Sequence, residues 1–137
     1  MSALEQAQKL AAQFGELLSA AAEFRGEVTL VLKDAERIAE VCQFAKHALG
    51  FDYLIDISSV DQYGSDPRWT VVYELYGLSH HCHLRLKTDV SEEKSELPTV
   101  TTVWRTANWH EREIYDMMGV RFHGHPDLRR ILMWEGY

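Results

Sequence analysis

The chain has 137 residues, of which 46% are hydrophobic, and its formal net charge is −7. This length predicts a single domain, and the acidic balance argues against a nucleic-acid-binding protein. No apolar run approaches the ~18 residues of a transmembrane helix, so we expect no direct membrane span. The two cysteines, Cys42 and Cys82, lack metal-site spacing and predict reduced, buried thiols.

The first part of the chain predicts two helices on either side of one strand. Apolar residues recur with a helical period over residues 3–23, and Gly26 ends that pattern. Residues 27–32 alternate and predict a short strand. Asp34 is placed to cap a second amphipathic helix over residues 35–49.

The middle of the chain predicts antiparallel strands. Residues 52–60, 69–78 and 80–88 have strand character, and 69–78 is apolar on both faces, as in an interior strand. A turn is predicted over residues 61–67 and an acidic loop over 88–98. A fifth, short strand is predicted over residues 99–104.

A third helix is predicted from Trp109 to Met118, with Gly119 ending it. Asn108 is predicted as its N-cap and Glu111 as the partner in a capping box. The order of elements predicts an α+β fold, in which helices pack in a second layer on a mixed, mostly antiparallel sheet of four to five strands. One domain is expected to cover residues 1–137.

The segment 108–133 combines charged residues and histidines with aromatic residues and methionines. Polar groups at this density are costly near apolar surface unless each has a partner. Residues 105–137 contain five acidic and five basic side chains, whereas residues 1–104 carry the whole net charge of −7. The segment is therefore expected to be an active site or a docking surface, and the charge balance favours paired ions.

Histidines suggest a metal site as an alternative. His81 and His83 share one face of the predicted strand 80–88, but two ligands do not complete a zinc site without others such as His123 or His125. The pair His110 and Glu111 lacks a second histidine four residues after the first, so a zincin motif is absent. A small metal-dependent enzyme using His81 and His83 remains one hypothesis.

Salt bridges are the simpler interpretation of the charges in this segment. Arg112 and Asp116 are spaced i,i+4 and can pair on the helix surface. Pro126 predicts a structured loop that presents two arginines suited to carboxylates. The predicted ionic set consists of three acids and three arginines: Glu111, Glu113, Asp116, Arg112, Arg129 and Arg130.

The same segment closely resembles a long motif of the C-subunit of proton-pumping NADH:quinone oxidoreductase, respiratory complex I. The matching residues are Glu111-Arg112-Glu113, Asp116, Gly119, Phe122, Gly124-His125-Pro126 and Leu128-Arg129-Arg130-Ile131-Leu132. The resemblance implies a peripheral-arm subunit without flavin, iron–sulfur cluster or metal. FMN, iron–sulfur clusters and quinone would belong to partner subunits of the complex, which passes electrons from NADH to quinone and translocates protons.

The resemblance also implies docking to the D-subunit, which helps form the quinone site, and to neighbouring iron–sulfur subunits, on the cytoplasmic side of the bacterial inner membrane. The expected docking set is Glu111, Arg112, Glu113, Asp116, His125, Arg129 and Arg130. An equivalent subunit of a membrane-bound hydrogenase or formate hydrogenlyase is an alternative. Family members usually continue past Trp-Glu-Gly with a proline-containing basic segment, so a sequence that stops at Tyr137 is expected to be truncated or a short variant.

Overall fold

The computed structural model describes residues 3–19, 21–25, 27–64 and 67–126. Its helices are α1 (Ala3–Phe14), α2 (Ile38–His47) and α3 (Ala107–Met118). Its strands are β1 (Ala22–Phe24), β2 (Glu27–Leu32), β3 (Tyr53–Asp61), β4 (Trp69–Gly77), β5 (Cys82–Val90), β6 (Glu96–Pro98) and β7 (Arg121–His123). The predicted α+β fold is confirmed.

Five strands form the main sheet in the order β1-β2-β5-β4-β3. Strands β2 and β5 are parallel, and the other three pairs are antiparallel. The short strands β6 and β7 form a separate parallel pair. Strand β4 is paired on both sides and almost continuously buried, which confirms that it is an interior strand.

The core lies between the main sheet and the helices. Helix α1 contacts β2, β5 and α2, and Leu10 of α1 is fully buried. Helix α2 buries Val41, Cys42 and Ala45, as its apolar periodicity predicts. Its start also agrees with the prediction, because the Asp34 carboxylate accepts a hydrogen bond from a backbone N–H in the 3-10 turn that leads into the helix.

The predicted first helix is wrong beyond Phe14. The chain instead enters a 3-10 turn at Gly15, whose φ of +58° is left-handed and ends the helix. Leu18 then forms an isolated bridge with Leu32, and the Ser19 N–H donates to the carbonyl of Val31. Pairing with β2 therefore outweighs the helical period, and residues 22–24 become the edge strand β1.

The predicted strand over residues 99–104 is also wrong. Val103 and Trp104 both donate backbone hydrogen bonds to the carbonyl of Val100, which makes this segment a turn. Its apolar side chains are nevertheless buried, and Trp104 Nε1 donates to the carbonyl of Phe51 at 3.2 Å. The strand in this region lies a few residues earlier, at β6, inside the predicted acidic loop.

Across the described parts of the chain, no helix is both long and apolar enough to cross a membrane.

Candidate functional site

Helix α3 carries most of the residues that the sequence singles out. It begins at Ala107, and Gly119 ends it with a φ of +76°, as predicted. Thr106 occupies the N-cap position in a helical conformation and makes no side-chain cap bond, so the predicted capping box of Asn108 and Glu111 is wrong. Because the helix starts before Asn108, the Glu111 side chain is too far into it to cap its first turn.

Glu111 instead points into the protein. It shares the buried face of α3 with Ala107 and Ile114, and its exposure is 0%. One carboxylate oxygen accepts a short hydrogen bond from the Thr99 hydroxyl, and the other accepts the Val100 N–H at 2.8 Å. The carboxylate therefore holds the turn after β6 against α3.

His125 holds the segment after β7 against the start of the same helix. Its fully buried ring donates from Nε2 to the carbonyl of Asn108 at 3.1 Å, and Nε2 lies 3.9 Å from Oε1 of Glu111. Two separate segments, the turn after β6 and the loop after β7, are thereby joined to α3.

Burial raises the pKa values of Glu111 and of two groups near it, Cys42 and Tyr73. It raises the pKa of Glu111 from 4.5 to about 7, although the hydrogen bonds from Thr99 and Val100 oppose the rise. Burial also raises the pKa of the Cys42 thiol and of the Tyr73 phenol, and the nearby charge of Glu111 adds to both. The Tyr73 hydroxyl has no hydrogen-bond partner within the described ranges.

The other face of α3 is accessible to solvent. Arg112 lies 3.4 Å from Oδ1 of Asn108 and stacks over the Trp109 ring at 5.9 Å. Trp109 is 54% exposed and Met117 is 70% exposed. The i,i+4 pairing of Arg112 with Asp116 stays a prediction.

Glu113 lies where α3 meets β3. Its carboxylate is 3.9 Å from Nδ1 of His110, which in turn is 3.3 Å from the carboxylate of Asp56 on β3. The predicted ionic set is thus divided. Glu111 faces inward to uncharged donors, whereas Glu113 faces outward beside a histidine.

The histidines of the alternative metal hypothesis do not form one site within the described residues. His81 lies in the turn before β5, where its φ is +53°, so it does not share a strand face with His83 as predicted. Both contact Tyr76: His81 through a hydrogen bond of 3.0 Å, and His83 through a tilted ring contact with the centroids 4.6 Å apart. His123 binds Glu36 at 3.0 Å. In the described ranges, no group of three or more His, Cys, Asp or Glu side chains is arranged to hold a metal ion.

Arg129 and Arg130 lie outside the described residues. The sequence does not predict the inward partners of Glu111, because Thr99 and Val100 lie more than ten residues before it, in a segment predicted as a strand. No spacing rule links them. Cys42 and Tyr73 come near Glu111 only because α2 and β4 pack around it in the folded chain.

Comparison with known proteins gives consistent results. Residues 31–137 match the family model described as respiratory-chain NADH dehydrogenase, 30 kDa subunit. The NADH-quinone oxidoreductase C-subunit of Geotalea uraniireducens is 45% identical over 132 residues, which cover 94% of this chain and 80% of the relative. The C-subunit numbered 2 of Rhizobium meliloti is 56% identical over 104 residues, which cover 74% of this chain and 57% of the relative.

Two solved structures share the fold. The trypsin-resistant fragment of Nqo5 superposes with a TM-score of 0.79 at 36% identity, covering 91% of this chain and 98% of the fragment. A polypeptide of the membrane-bound sulfane sulfur reductase, an archaeal respiratory membrane complex, superposes with a TM-score of 0.77 at 20% identity, covering 97% of this chain and 74% of the other, and supports the fold alone. The chain belongs to the 30-kDa, C-subunit family of respiratory-chain NADH dehydrogenase, complex I.

Proposed function

We propose that this chain is a structural, non-redox subunit of the peripheral arm of an NADH:quinone oxidoreductase. In that complex electrons would pass from NADH through FMN and iron–sulfur clusters to quinone, with coupled proton translocation. FMN, clusters and quinone would be held by partner subunits. The observation that carries the proposal is the family match over residues 31–137.

The architecture of α3 supports a docking role. Its inner face is fixed by Glu111 and His125, which join two segments to the helix. Its outer face presents Trp109 and Met117 to solvent. Exposed aromatic and methionine side chains on a rigid helix are typical of protein interfaces. The proposed partners are the quinone-site D-subunit and neighbouring iron–sulfur subunits, at the cytoplasmic face of a bacterial inner membrane.

Activity of the membranes tests this proposal. Membranes of a strain lacking the chain should lose NADH-dependent quinone reduction, and expression of the intact chain should restore it. The purified chain alone should not oxidise NADH with quinone as acceptor. Wild-type activity in the deletion membranes, or turnover by the purified chain, would contradict a structural role.

A further inference from the structure

A groove open to solvent lies between β3 and α3. Strand β3 is an edge of the main sheet and pairs only with β4 among the described strands. The groove has a volume of about 260 Å³. Its floor contains Ile57 of β3 and Ile114 of α3, which are 4% and 6% exposed. Met117 lines it from the helix and is 70% exposed.

This volume is sufficient for an aliphatic side chain. A cavity of about 150 Å³ lined by apolar side chains accommodates benzene, and the groove is larger and open on one side. Met117 is unbranched and can adjust its conformation around an incoming group. The apolar floor therefore favours an apolar side chain over a water-filled cleft.

The rim of the groove is acidic. The side chains of Asp56 and Glu113 are 51% and 46% exposed, one on each element. His110 lies between them, with Nδ1 at 3.3 Å from the Asp56 carboxylate and 3.9 Å from that of Glu113. Two carboxylates therefore face the opening, so a lysine or arginine beside the apolar group complements the rim.

Ser59 provides an independent sign of a missing partner. It lines the groove, and its hydroxyl oxygen is buried without a hydrogen-bond partner in the described parts of the chain. A buried hydroxyl without a partner is costly and rare in folded proteins. Since this oxygen is closed to solvent in the free chain, a neighbouring side chain must move aside before a backbone N–H or C=O of a bound segment can provide the missing bond.

We propose that the groove binds a segment of a neighbouring subunit in which an apolar side chain lies next to a lysine or arginine. The inference rests on the proposed docking role and specifies the chemistry of one contact. The apolar side chain fills the space between Ile57 and Ile114. The cation lies at the solvent-exposed side of the Asp56 and Glu113 carboxylates, and the Ser59 hydroxyl binds the backbone of the segment.

Photo-crosslinking within the intact complex tests the occupant. Ser58 lines the groove and is exposed, so benzoylphenylalanine at this position would sample the bound segment. Gln13 on α1, also exposed, is the control position. The expected product joins position 58 to a peptide of another subunit that contains Lys or Arg adjacent to an apolar residue. A product with a second copy of this chain, a peptide without such a cation, or no product from an assembled complex would overturn the proposal.

Charge reversal tests the acidic rim. The double variant Asp56→Lys and Glu113→Lys is compared with Glu16→Lys and Glu23→Lys, which changes the net charge equally near β1, at the far edge of the sheet. We expect the rim variant to retain roughly tenfold less of the complex on affinity purification, since like charges oppose docking, and the control variant to retain the wild-type amount. Thermal unfolding of both variants confirms that each is folded. Equal retention by the two folded variants would overturn the proposal.

Co-purification with the wild-type chain distinguishes a failure of the groove proposal from a failure of the docking role. If other proteins of complex I co-purify with it but the groove variants behave like the controls, the groove proposal fails and the docking role stands. If none of them co-purifies with the wild-type chain, both fail.

Discussion

Glu111 is a carboxylate that the fold places inside the protein and binds through the Thr99 hydroxyl and the Val100 N–H. Two hydrogen bonds offset only part of the cost of removing a charge from water. The part of this cost that the hydrogen bonds do not offset raises the pKa of Glu111 to about 7. At neutral pH the group is therefore close to half protonated, which is unusual for a glutamate.

This raised pKa predicts a specific pH dependence of stability. The folded protein holds the Glu111 proton up to about pH 7, whereas the unfolded chain releases it near 4.5. Between these values the native state binds more protons, so the free energy of unfolding falls as pH rises, by about 3 kcal/mol in total from this group. Urea unfolding of the wild type at about pH 5 and about pH 8 should show this loss.

Glu111→Gln isolates the contribution of this carboxyl from those of the other titratable groups. The amide cannot ionise, although it retains an acceptor for one of the two donors. The difference in unfolding free energy between wild type and variant should shift in favour of the variant as pH rises. A difference that is constant with pH would show that burial does not perturb this carboxyl.

The sequence singles out particular residues of α3 and the following loop, but it does not predict their contacts. Charge density and a family resemblance single out Glu111 and His125, and both side chains are buried at α3. The capping-box geometry predicted for Glu111 is wrong because it depends on where the helix begins, and a start two residues earlier changes which groups are within reach. Long-range partners such as Thr99 leave no local pattern in the sequence.

At the scale of elements, the connection between β4 and β5 depends on a close approach at Gly77. A Cβ atom added there would lie 2.0 Å from Cε1 of His80 and 2.8 Å from the carbonyl oxygen of Gly50. The His80 ring is held in this position by Nε2, which donates to the carbonyl of Leu49 at 2.8 Å, and by edge-on contact with Phe51. The ring thereby joins the β4–β5 turn to the end of α2.

Gly77→Ala is expected to destabilise the protein by about 1–3 kcal/mol, because the methyl group forces the ring or the backbone to move. Urea unfolding measures the change. His80→Ala removes the clashing ring, so the double variant should lose less than the sum of the two single losses. Additive losses would indicate that His80 does not occupy the space beside Gly77.

The β3–β4 hairpin is fixed by Arg68, which binds both oxygens of Asp61 and also Glu92 at 2.8 to 3.0 Å. Its guanidinium stacks over the Trp69 ring at 4.4 Å. Lysine can neither form the bidentate pair nor stack in the same way. Arg68→Lys should therefore lower the midpoint of thermal unfolding measurably.

Arg37→Lys is the matched control, because the Arg37–Glu40 pair lies on an exposed helical surface. Such pairs contribute little to stability. Equal shifts of the thermal midpoint in the two variants would contradict the special role of the Arg68 network.

The longer elements follow from periodicity, and the short ones do not. Strands β2 and β5 and helix α2 have clear alternation or helical spacing, and the apolar face of each is buried. Strand β3 departs from simple alternation, because its register shifts between Leu54 and Asp56 and its apolar residues Tyr53 and Ile55 are exposed. Strands β6 and β7 contain three residues each, and they exist because they pair across more than twenty residues of sequence. No local propensity specifies such a pairing.

At the scale of the whole molecule, the two edges of the sheet have different surroundings. Strand β1 closes one edge, next to the first helix and its 3-10 turn. Strand β3 forms the other edge, beside α3 and its exposed Trp109 and Met117. The mixed sheet agrees with the prediction, but the parallel pairing of β2 with β5 requires the chain to cross through α2, β3 and β4, which the sequence pattern does not specify.

The predicted docking arginines can be tested in the assembled complex. Arg129→Ala with Arg130→Ala should reduce co-purification of the D-subunit, because two guanidinium groups suited to carboxylates are removed. Arg25→Ala with Lys33→Ala removes two cations near β1 and β2 and should leave co-purification unchanged. Recovery of the D-subunit at the wild-type level by the first variant would show that these arginines do not contribute to docking.

The most direct test of the structural role is affinity purification of the tagged chain from detergent-solubilised membranes of its own host, followed by quantitative mass spectrometry. We predict that the D-subunit and the iron–sulfur and flavin subunits of NADH:quinone oxidoreductase are recovered in equimolar amounts with the chain. Recovery of the chain without the D-subunit, or with nickel-site hydrogenase subunits in place of the flavin subunit, would contradict the proposed function.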